Sequence, residues 1–268
     1  MYKSKNSRIR VKDAEIDYIS FGTGSKNLIM IPGVGDGIKT AKGMAGIFSI
    51  MYKCFAKDYR VYVFSRRNNI EEGFTTKDMA EDVYNTMVEL GIDKADVIGV
   101  SQGGMIAQWL AINHQDRINK LVLTITAPRK NLTMIEAITP WLEWAKSRNF
   151  KSIFIDTAER SYTEEHMKKY RWIYNTLYRF SKPKSYKRFI IQCMSCLEHN
   201  AYDDLHKIKC PTLIVGAAKD RIVGVEASRE LHKKIKNSEL YIYKKYSHGV
   251  YEEEKDFFNR ILKYLQKK

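Results

Sequence analysis

The stretch at 95–107 constrains the fold more than any other part of the chain. A strand-like apolar run ends at Gly99-Val100, Ser101 follows, and a helical pattern begins after Gln102 and Gly103. A G-x-S-x-G sequence between a strand and a helix is typical of a nucleophile elbow, a sharp turn that exposes the serine hydroxyl. By residue frequencies alone the motif occurs in about one in ten chains of this length. Its meaning therefore depends on partners elsewhere in the chain.

Short buried strands alternate with helical segments along the first part of the chain. A hairpin pattern over 8–22 is followed by continuously apolar runs at 28–31, 61–64, 97–100 and 121–125, with helical segments between them. Such an alternation predicts a parallel sheet with helices on both faces and with functional groups at the carboxyl ends of the strands.

The alternation stops in the middle of the chain and then resumes. Residues 131–206 are helical in pattern and rich in aromatic side chains, and the strand pattern returns at 211–216. We therefore predict an α/β core formed by 1–130 and 207–268, with a helical cap inserted at 131–206.

The charge pattern favours a solvated surface over a nucleic-acid or membrane partner. The net charge is +15, from 46 Lys and Arg against 31 Asp and Glu, but the basic residues are spread along the chain and form no block. The sequence also shows no signal-peptide pattern and no apolar run of about 18 residues, which favours the cytoplasm. Four cysteines are too few for a disulfide framework in a chain of 268 residues, and Cys193 and Cys196 fit apolar positions of a helix.

A serine hydroxyl needs a general base, and the base needs an orienting acid. Of the six histidines, His248 is the one that follows a strand directly, beside a glycine. Asp220 comes four residues after the strand at 213–216, so both side chains are expected at the same edge of the sheet as Ser101. These three residues are the predicted catalytic residues.

Two backbone N–H groups are predicted to stabilise the oxyanion. One belongs to Gln102, the first residue after the serine, and the other to Val34, in the glycine-rich loop after the strand at 28–31. Most cap aromatics are expected to form the core of the cap. Four of them are predicted to shape a substrate pocket, namely Trp141, Trp144, Trp172 and Tyr174.

The chain resembles capped, esterase-like serine hydrolases of the α/β-hydrolase fold over nearly its whole length. The resemblance rests on I-P-G-V-G at 31–35, V-I-G-V-S-Q-G-G-M-I-A-Q at 97–108, P-T-L-I-V-G-A-A-K-D at 211–220 and Y-S-H-G at 246–249. It implies an eight-stranded, mostly parallel sheet and a catalytic triad in the chain order Ser101, Asp220, His248. It also implies amide donors at Val34 and Gln102. Pro32 departs from the family pattern, because many members carry a histidine before the glycine.

The expected function is hydrolysis of an ester, thioester or amide of a small, partly apolar molecule through an acyl-enzyme. No cofactor and no metal are expected, because no phosphate-binding spacing or metal-ligand cluster is visible. Two alternatives remain open at this point: an acyltransferase or cofactorless carbon–carbon lyase with the same triad, and a non-catalytic binding protein on a hydrolase fold. Sequence patterns specify neither the substrate nor the oligomeric state.

Overall fold

The computed structural model describes residues 3–267. Within them the sheet has eight strands, which lie in the spatial order β1-β2-β4-β3-β5-β6-β7-β8. The strands are β1 (Lys5–Val11), β2 (Ala14–Phe21), β3 (Lys26–Ile31), β4 (Tyr59–Arg67), β5 (Ala95–Val100), β6 (Ile118–Thr124), β7 (Thr212–Ala217) and β8 (Ser238–Tyr243). Strand β2 runs antiparallel to β1 and β4, and all other neighbours are parallel. The predicted eight-stranded, mostly parallel sheet is confirmed.

Helices cover both faces of this sheet. In the described residues they are α1 (Ala45–Met51), α2 (Thr76–Glu89), α3 (Gln102–Asn113), α4 (Leu132–Lys146), α5 (Phe150–Ser161), α6 (Glu164–Ser181), α7 (Lys187–Glu198), α8 (Val225–Lys234), α9 (Val250–Glu253) and α10 (Phe257–Leu265). One core cluster joins the sheet to α2, α3 and α8, and a second joins the opposite face to α1 and α10. Four helices, α4 to α7, form an insert between β6 and β7, as predicted.

Strand β5 shows why the apolar runs are continuous rather than alternating. All its residues are buried, and neighbouring side chains point to opposite faces of the sheet. Val97 belongs to the core cluster on one face, and Ile98 belongs to the cluster on the other. A strand covered by helices on both sides needs apolar residues at every position.

Helix α2 begins with a capping box. The hydroxyl of Thr75 accepts a hydrogen bond from the N–H of Asp78 at 3.2 Å, and the Asp78 carboxylate accepts one from the N–H of Thr75 at 2.9 Å. These bonds satisfy two N–H groups that have no partner within the helix. Gly91, at φ +65°, lets the chain turn towards β5 after the helix.

The insert packs onto loops at the carboxyl ends of the strands. Helices α4, α5 and α7 share a buried apolar cluster with Met105 in the first turn of α3 and with Ile222 and Val223 after β7. Helix α6 packs mainly against α5. Among the residues of α6, all of which the structure describes, Met167 alone is buried. The insert therefore lies over the sheet edge where functional residues are expected.

Among the helices within residues 3–267, none combines the length and the apolar character that crossing a membrane requires.

A buried histidine beneath α2 and α3 makes the stability of the fold sensitive to acid. Nδ1 of His199 lies 2.8 Å from the Thr76 hydroxyl, and Nε2 lies 3.4 Å from Oε1 of Gln108. Burial lowers the pKa of His199 to about 3. Between about pH 6.5 and pH 3 the unfolded chain therefore binds a proton that the folded chain excludes, and stability is lost as the pH falls below about 6.5.

We expect this histidine to account for about 2 kcal/mol of the stability lost between pH 7 and pH 5. Urea unfolding of the wild type and of His199→Gln at the two pH values measures the contribution. The loss between the two pH values should be smaller in the variant by that amount. An equal loss in both proteins would show that His199 does not carry this effect.

Candidate active site

Ser101 occupies a strained turn between β5 and α3. Its φ is +54° and its ψ is −120°, a region that residues with a side chain rarely adopt. The turn is fixed from the neighbouring strand and the residues after it: the N–H of Ser101 donates to the Thr124 carbonyl at 3.0 Å, and the Thr126 hydroxyl donates to the Ser101 carbonyl at 2.7 Å. Such strain is tolerated where the surrounding structure enforces it, and here it holds the serine apart from both the strand and the helix.

Two glycines of the motif allow the close approach that this turn requires. A Cβ atom on Gly103 would lie 1.9 Å from the Ile31 carbonyl oxygen, and one on Gly99 would lie 2.5 Å from the Gly103 carbonyl oxygen. Both contacts are with backbone, which cannot move aside as a side chain can. The spacing of the motif therefore follows from the packing of α3 against β3 and β5.

The structure brings Ser101, His248 and Asp220 into one hydrogen-bonded chain. Nε2 of His248 lies 3.0 Å from Oγ of Ser101. Nδ1 of His248 lies 2.9 Å from Oδ2 and 3.1 Å from Oδ1 of Asp220. These distances are those of a nucleophile, a base and an orienting acid. Each residue follows a different strand of the sheet, β5, β7 or β8.

The electrostatic environment favours the ionised form of Asp220. Burial raises the pKa of this carboxyl, but the adjacent His248 and the amides of Val223 and Ile222 lower it further than burial raises it, so the net pKa lies below the ordinary value. Both amides donate to the same oxygen, Oδ1, at 3.0 and 2.8 Å. Oδ2 is then directed to the imidazole. A buried carboxylate in this position can hold one tautomer of histidine and stabilise its protonated form.

Val34 and Gln102 each begin a helical segment beside Ser101. Val34 is the first residue of the short 3₁₀ helix Val34–Gly37, and Gln102 is the first residue of α3. The N–H groups at such positions have no acceptor within their own helix and are free to face a ligand. The loop approaches the serine closely, since a Cβ atom on Gly33 would lie 3.3 Å from Cβ of Ser101. The predicted donors therefore lie on the two backbone segments that flank the serine.

An apolar cavity of about 320 Å³ lies between the insert and this site. Val34, in the loop after β3, and Gly249, which follows His248, both line it. Its other lining residues are Gly35, Ile38, Trp141, Phe150, Ile153, Phe154, Thr157, Ala158, Ser161, Tyr162, Tyr174, Ser181, Phe189, Tyr251 and Glu252. Two other cavities, of about 810 and 1230 Å³, are larger, but neither is lined by Val34 or Gly249. The cavity of about 1230 Å³ is lined by Asp220 and shares Tyr162 and Glu252 with the smaller one, but most of its lining residues are charged or polar. The smaller cavity is therefore the better candidate for the substrate.

The four aromatic residues predicted for the pocket divide into two pairs. Trp141 and Tyr174 line the cavity. Trp144 is not among its lining residues and packs instead against the core of the insert. Trp172 points to solvent with 70% of its surface exposed, because it lies on the outer face of α6. The structure thus does not bring Trp144 and Trp172 to the cavity.

Several residues beside the site carry no clear signal in the sequence. Phe150, Phe154 and Phe189 line the cavity. Tyr162 also lines it and packs against Gly249, the residue after His248. Arg66, near the carboxyl end of β4, is buried beside Gln102. A charged residue two positions after the apolar run at 61–64 is the one signal that points to Arg66, because the carboxyl ends of parallel strands form the functional edge.

The insert contains buried thiols but no metal-binding arrangement. Cys193 and Cys196 are both buried on α7, and burial raises the pKa of Cys196 to about 12. Within residues 3–267, no three side chains of His, Cys, Asp or Glu are grouped as a metal site would require. The two cysteines therefore pack as small apolar residues of the helix.

Similarity to known proteins extends over the same core and insert. A family model described as the alpha/beta hydrolase fold matches residues 26–255. The chain is 25% identical over 289 aligned residues to 2-hydroxy-6-oxononadienedioate/2-hydroxy-6-oxononatrienedioate hydrolase 1 of Pseudomonas putida, covering 97% of this chain and 96% of that protein. It is 22% identical over 271 residues to 3-oxoadipate enol-lactonase 2 of Acinetobacter baylyi, again covering 97% and 96%.

A solved structure shows the same fold. The enol-lactonase of Burkholderia xenovorans superposes with a TM-score of 0.84 at 18% identity, covering 97% of this chain and all of that one. The family match spans most of the chain and includes the elbow and the loops that carry Asp220 and His248. The chain therefore belongs to the α/β-hydrolase fold family.

Proposed function

We propose that this α/β hydrolase cleaves an ester, thioester or amide bond of a small substrate whose acyl group is apolar and uncharged. The observation that carries the proposal is the hydrogen-bonded chain from Ser101 through His248 to Asp220, beside an apolar cavity under the insert. The members of this chain have the residue types and the distances that nucleophilic acyl transfer requires.

In the proposed reaction Ser101 attacks the substrate carbonyl. As the bond between Oγ and the carbonyl carbon forms, His248 takes the hydroxyl proton on Nε2, and Asp220 stabilises the resulting imidazolium. The amides of Val34 and Gln102 bind the negative charge on the former carbonyl oxygen. The imidazolium then protonates the leaving group as its bond to carbon breaks. Water then attacks the carbonyl carbon of the acyl-enzyme while His248 takes one of its protons. His248 returns that proton to Oγ of Ser101 as the bond between Oγ and the carbonyl carbon breaks, and the acid is released.

The insert is proposed to act as a cap that selects the acyl group. Trp141, Phe150, Phe154 and Phe189 give the cavity an apolar wall next to Val34. An acyl chain placed there would leave its carbonyl carbon beside the oxyanion loop. Burial of each CH₂ group contributes about 0.8 kcal/mol, so kcat/KM should rise with chain length until the cavity is filled.

The experiment that tests this function is a panel of p-nitrophenyl esters from acetate to decanoate, run with the wild type and with a variant that lacks the serine hydroxyl. Covalent labelling of Ser101 by a fluorophosphonate, located by mass spectrometry, tests the nucleophile directly. Product analysis with and without an added alcohol separates hydrolysis from acyl transfer to the alcohol. No labelling and no turnover in folded protein would contradict the proposal.

The charge of the cavity predicts discrimination against acyl groups that carry a carboxylate. Among the described residues that line it there is no lysine or arginine, and Glu252 contributes a negative charge, with the Tyr162 hydroxyl donating to its carboxylate. The two relatives are named for a dienedioate and for 3-oxoadipate, both of which carry carboxylates. A carboxylate buried without a partner costs several kcal/mol.

We therefore expect p-nitrophenyl hexanoate to be cleaved with a kcat/KM at least about 100-fold higher than mono-p-nitrophenyl adipate, which has the same chain length. That ratio corresponds to about 2.7 kcal/mol. The measurement belongs at 0.15 M salt, where the net charge of the molecule is screened beyond about 8 Å. Glu252→Gln removes the negative charge of the cavity lining while keeping the size of the side chain. In this variant the ratio of kcat/KM for the hexanoate to kcat/KM for the adipate should be about tenfold smaller than in the wild type. Equal rates on the two esters in the wild type would contradict an uncharged acyl group.

A further inference from the structure

Arg66 contacts both backbone segments that carry the proposed oxyanion donors. The residue is 3% exposed and lies near the carboxyl end of β4. Its Nη2 donates to the carbonyl oxygens of Pro32 and Gly33, the two residues before Val34. The same nitrogen donates to Oε1 of Gln102 at 2.9 Å. One guanidinium group thus bridges the loop after β3 and the first residue of α3.

The far end of the Gln102 side chain is also held. Its Nε2 donates to the Gln192 carbonyl at 2.8 Å and to the Ser195 hydroxyl at 3.1 Å, both on α7. The Gln102 amide group is therefore fixed between Arg66 and the insert. Because Gln102 carries this side chain and a proposed oxyanion N–H on the same residue, contacts of the side chain restrain the position of the N–H.

The charges around Arg66 do not cancel. The carboxylate beside Arg66 belongs to Asp36, and it pairs with Arg188 at 2.8 Å. From Arg66, this carboxylate accepts a hydrogen bond from the backbone N–H, at 3.1 Å, and none from the guanidinium. Within residues 3–267, the hydrogen bonds that the Arg66 guanidinium donates go to uncharged oxygen atoms. Two cations thus share one carboxylate behind the loop. Burial lowers the pKa of Arg66 and the charge of Asp36 opposes this, but an arginine keeps its proton in proteins.

We propose that Arg66 is a positioning residue of the oxyanion hole. It holds the loop segment before Val34 and the side chain of Gln102 in one fixed arrangement, and it places a buried positive charge behind the two amides. This inference rests on the proposed function, because the charge acts on the oxyanion that forms when Ser101 attacks. Fixed dipoles and charges in a buried site stabilise a developing charge without reorganising during the reaction.

Arg66→Met tests this role, because it removes the charge and the hydrogen bonds while keeping an apolar stem of similar length. We expect kcat on p-nitrophenyl hexanoate to fall about 10- to 100-fold, less than the loss of a direct oxyanion donor. KM should change less than about threefold, since the substrate carbonyl carries little charge. The inhibition constant of an alkyl trifluoromethyl ketone, which forms a tetrahedral adduct with serine, should rise by the same factor as kcat falls.

Arg67→Met is the matched control. Arg67 is the neighbouring arginine, but its side chain pairs with Asp82 and Asp13, away from the elbow. The Arg67→Met variant should be less stable than the wild type, but its kcat should stay within about twofold of the wild-type value. Arg66→Lys keeps the positive charge but lacks the planar guanidinium group with its fixed N–H donors. Its kcat should therefore lie between that of the wild type and that of Arg66→Met. Fluorophosphonate labelling to completion gives the fraction of folded sites in each sample, so that kcat refers to active protein.

A folded Arg66→Met that keeps kcat within threefold would overturn the proposal. So would a variant in which KM rises with the loss of kcat while the affinity for the ketone is unchanged, because that pattern indicates a general structural role. If Arg66→Met does not fold, Gln102→Met tests the bridge from its other end. It keeps the backbone N–H of residue 102, removes one of the three acceptors of Arg66, and should lower kcat and ketone affinity together, about 5- to 30-fold. Retained turnover in a Ser101→Ala variant would contradict the proposed function itself, whereas normal Ser101-dependent turnover in Arg66→Met contradicts only the role of Arg66.

Discussion

Ser101→Ala is expected to lower kcat on p-nitrophenyl esters by about 10⁶-fold, the scale seen when the nucleophile of a triad is removed. The substitution deletes the one atom that would bond to the substrate carbonyl. It leaves the elbow intact, because the hydrogen bonds that hold the turn involve the backbone N–H and carbonyl of this residue. The positive φ of +54° also carries a similar conformational cost for alanine and for serine. The free energy of unfolding should therefore change by less than about 1 kcal/mol.

Ser49→Ala provides the matched control for this loss. Ser49 is a buried serine of α1 whose hydroxyl donates to the Gly46 carbonyl of the same helix at 2.9 Å. Its replacement should leave kcat and KM within about twofold. Steady-state kinetics on p-nitrophenyl hexanoate, with urea unfolding of each variant, checks both expectations. If Ser101→Ala kept turnover within 100-fold of the wild type, a covalent serine mechanism would be wrong.

The positions of the three predicted catalytic residues follow from local sequence patterns and one topological rule. Ser101, Asp220 and His248 each come shortly after a short apolar run. In a parallel sheet the carboxyl ends of all such strands lie at one edge. Residues far apart in the chain can thus be assigned to one edge without any knowledge of the packing. The structure places them within hydrogen-bond distance, and their catalytic role remains a prediction.

The walls of the cavity could not be predicted in the same way. Trp172 and Tyr174 lie two residues apart on α6, which separates them by about 200° around the helix axis. One therefore faces the insert and the other faces solvent, but both faces of this helix carry aromatic residues. Sequence periodicity does not show which face packs inwards when the pattern is aromatic on both sides. Only the docking of α6 on α5 decides it.

The adjacent arginines 66 and 67 show a second limit. Side chains on neighbouring positions of a strand point to opposite sides of the sheet. Arg67 pairs with Asp82 at 2.7 Å, whereas Arg66 is buried beside the loop after β3. No residue pattern distinguishes these two environments. Burial of a charge depends on partners from distant segments, here Pro32 and Gln102. Such a network becomes visible only when the segments are assembled.

Asp220→Asn is expected to lower kcat by about 10⁴-fold, the effect that the same change has in a serine protease. The direction follows from the amides of Ile222 and Val223, which both donate to Oδ1. An asparagine will keep its carbonyl oxygen there, so its NH₂ group takes the place of Oδ2 and donates to Nδ1 of His248. The imidazole must then carry its proton on Nε2. A protonated Nε2 cannot accept the proton of Ser101, although every side chain remains in position.

The substitution thus separates the charge and tautomer effects of Asp220 from its effect on geometry. KM and the free energy of unfolding should change little, and fluorophosphonate labelling of Ser101 should slow in parallel with kcat. Asp82→Asn is the matched control, because Asp82 is another buried carboxylate, paired with Arg67 at 2.7 Å, and it lies outside the site. That variant should lose stability and keep its turnover. If Asp220→Asn lost less than tenfold in kcat, His248 would not depend on this carboxylate for its tautomer, and the base in the reaction would have to be held by another group.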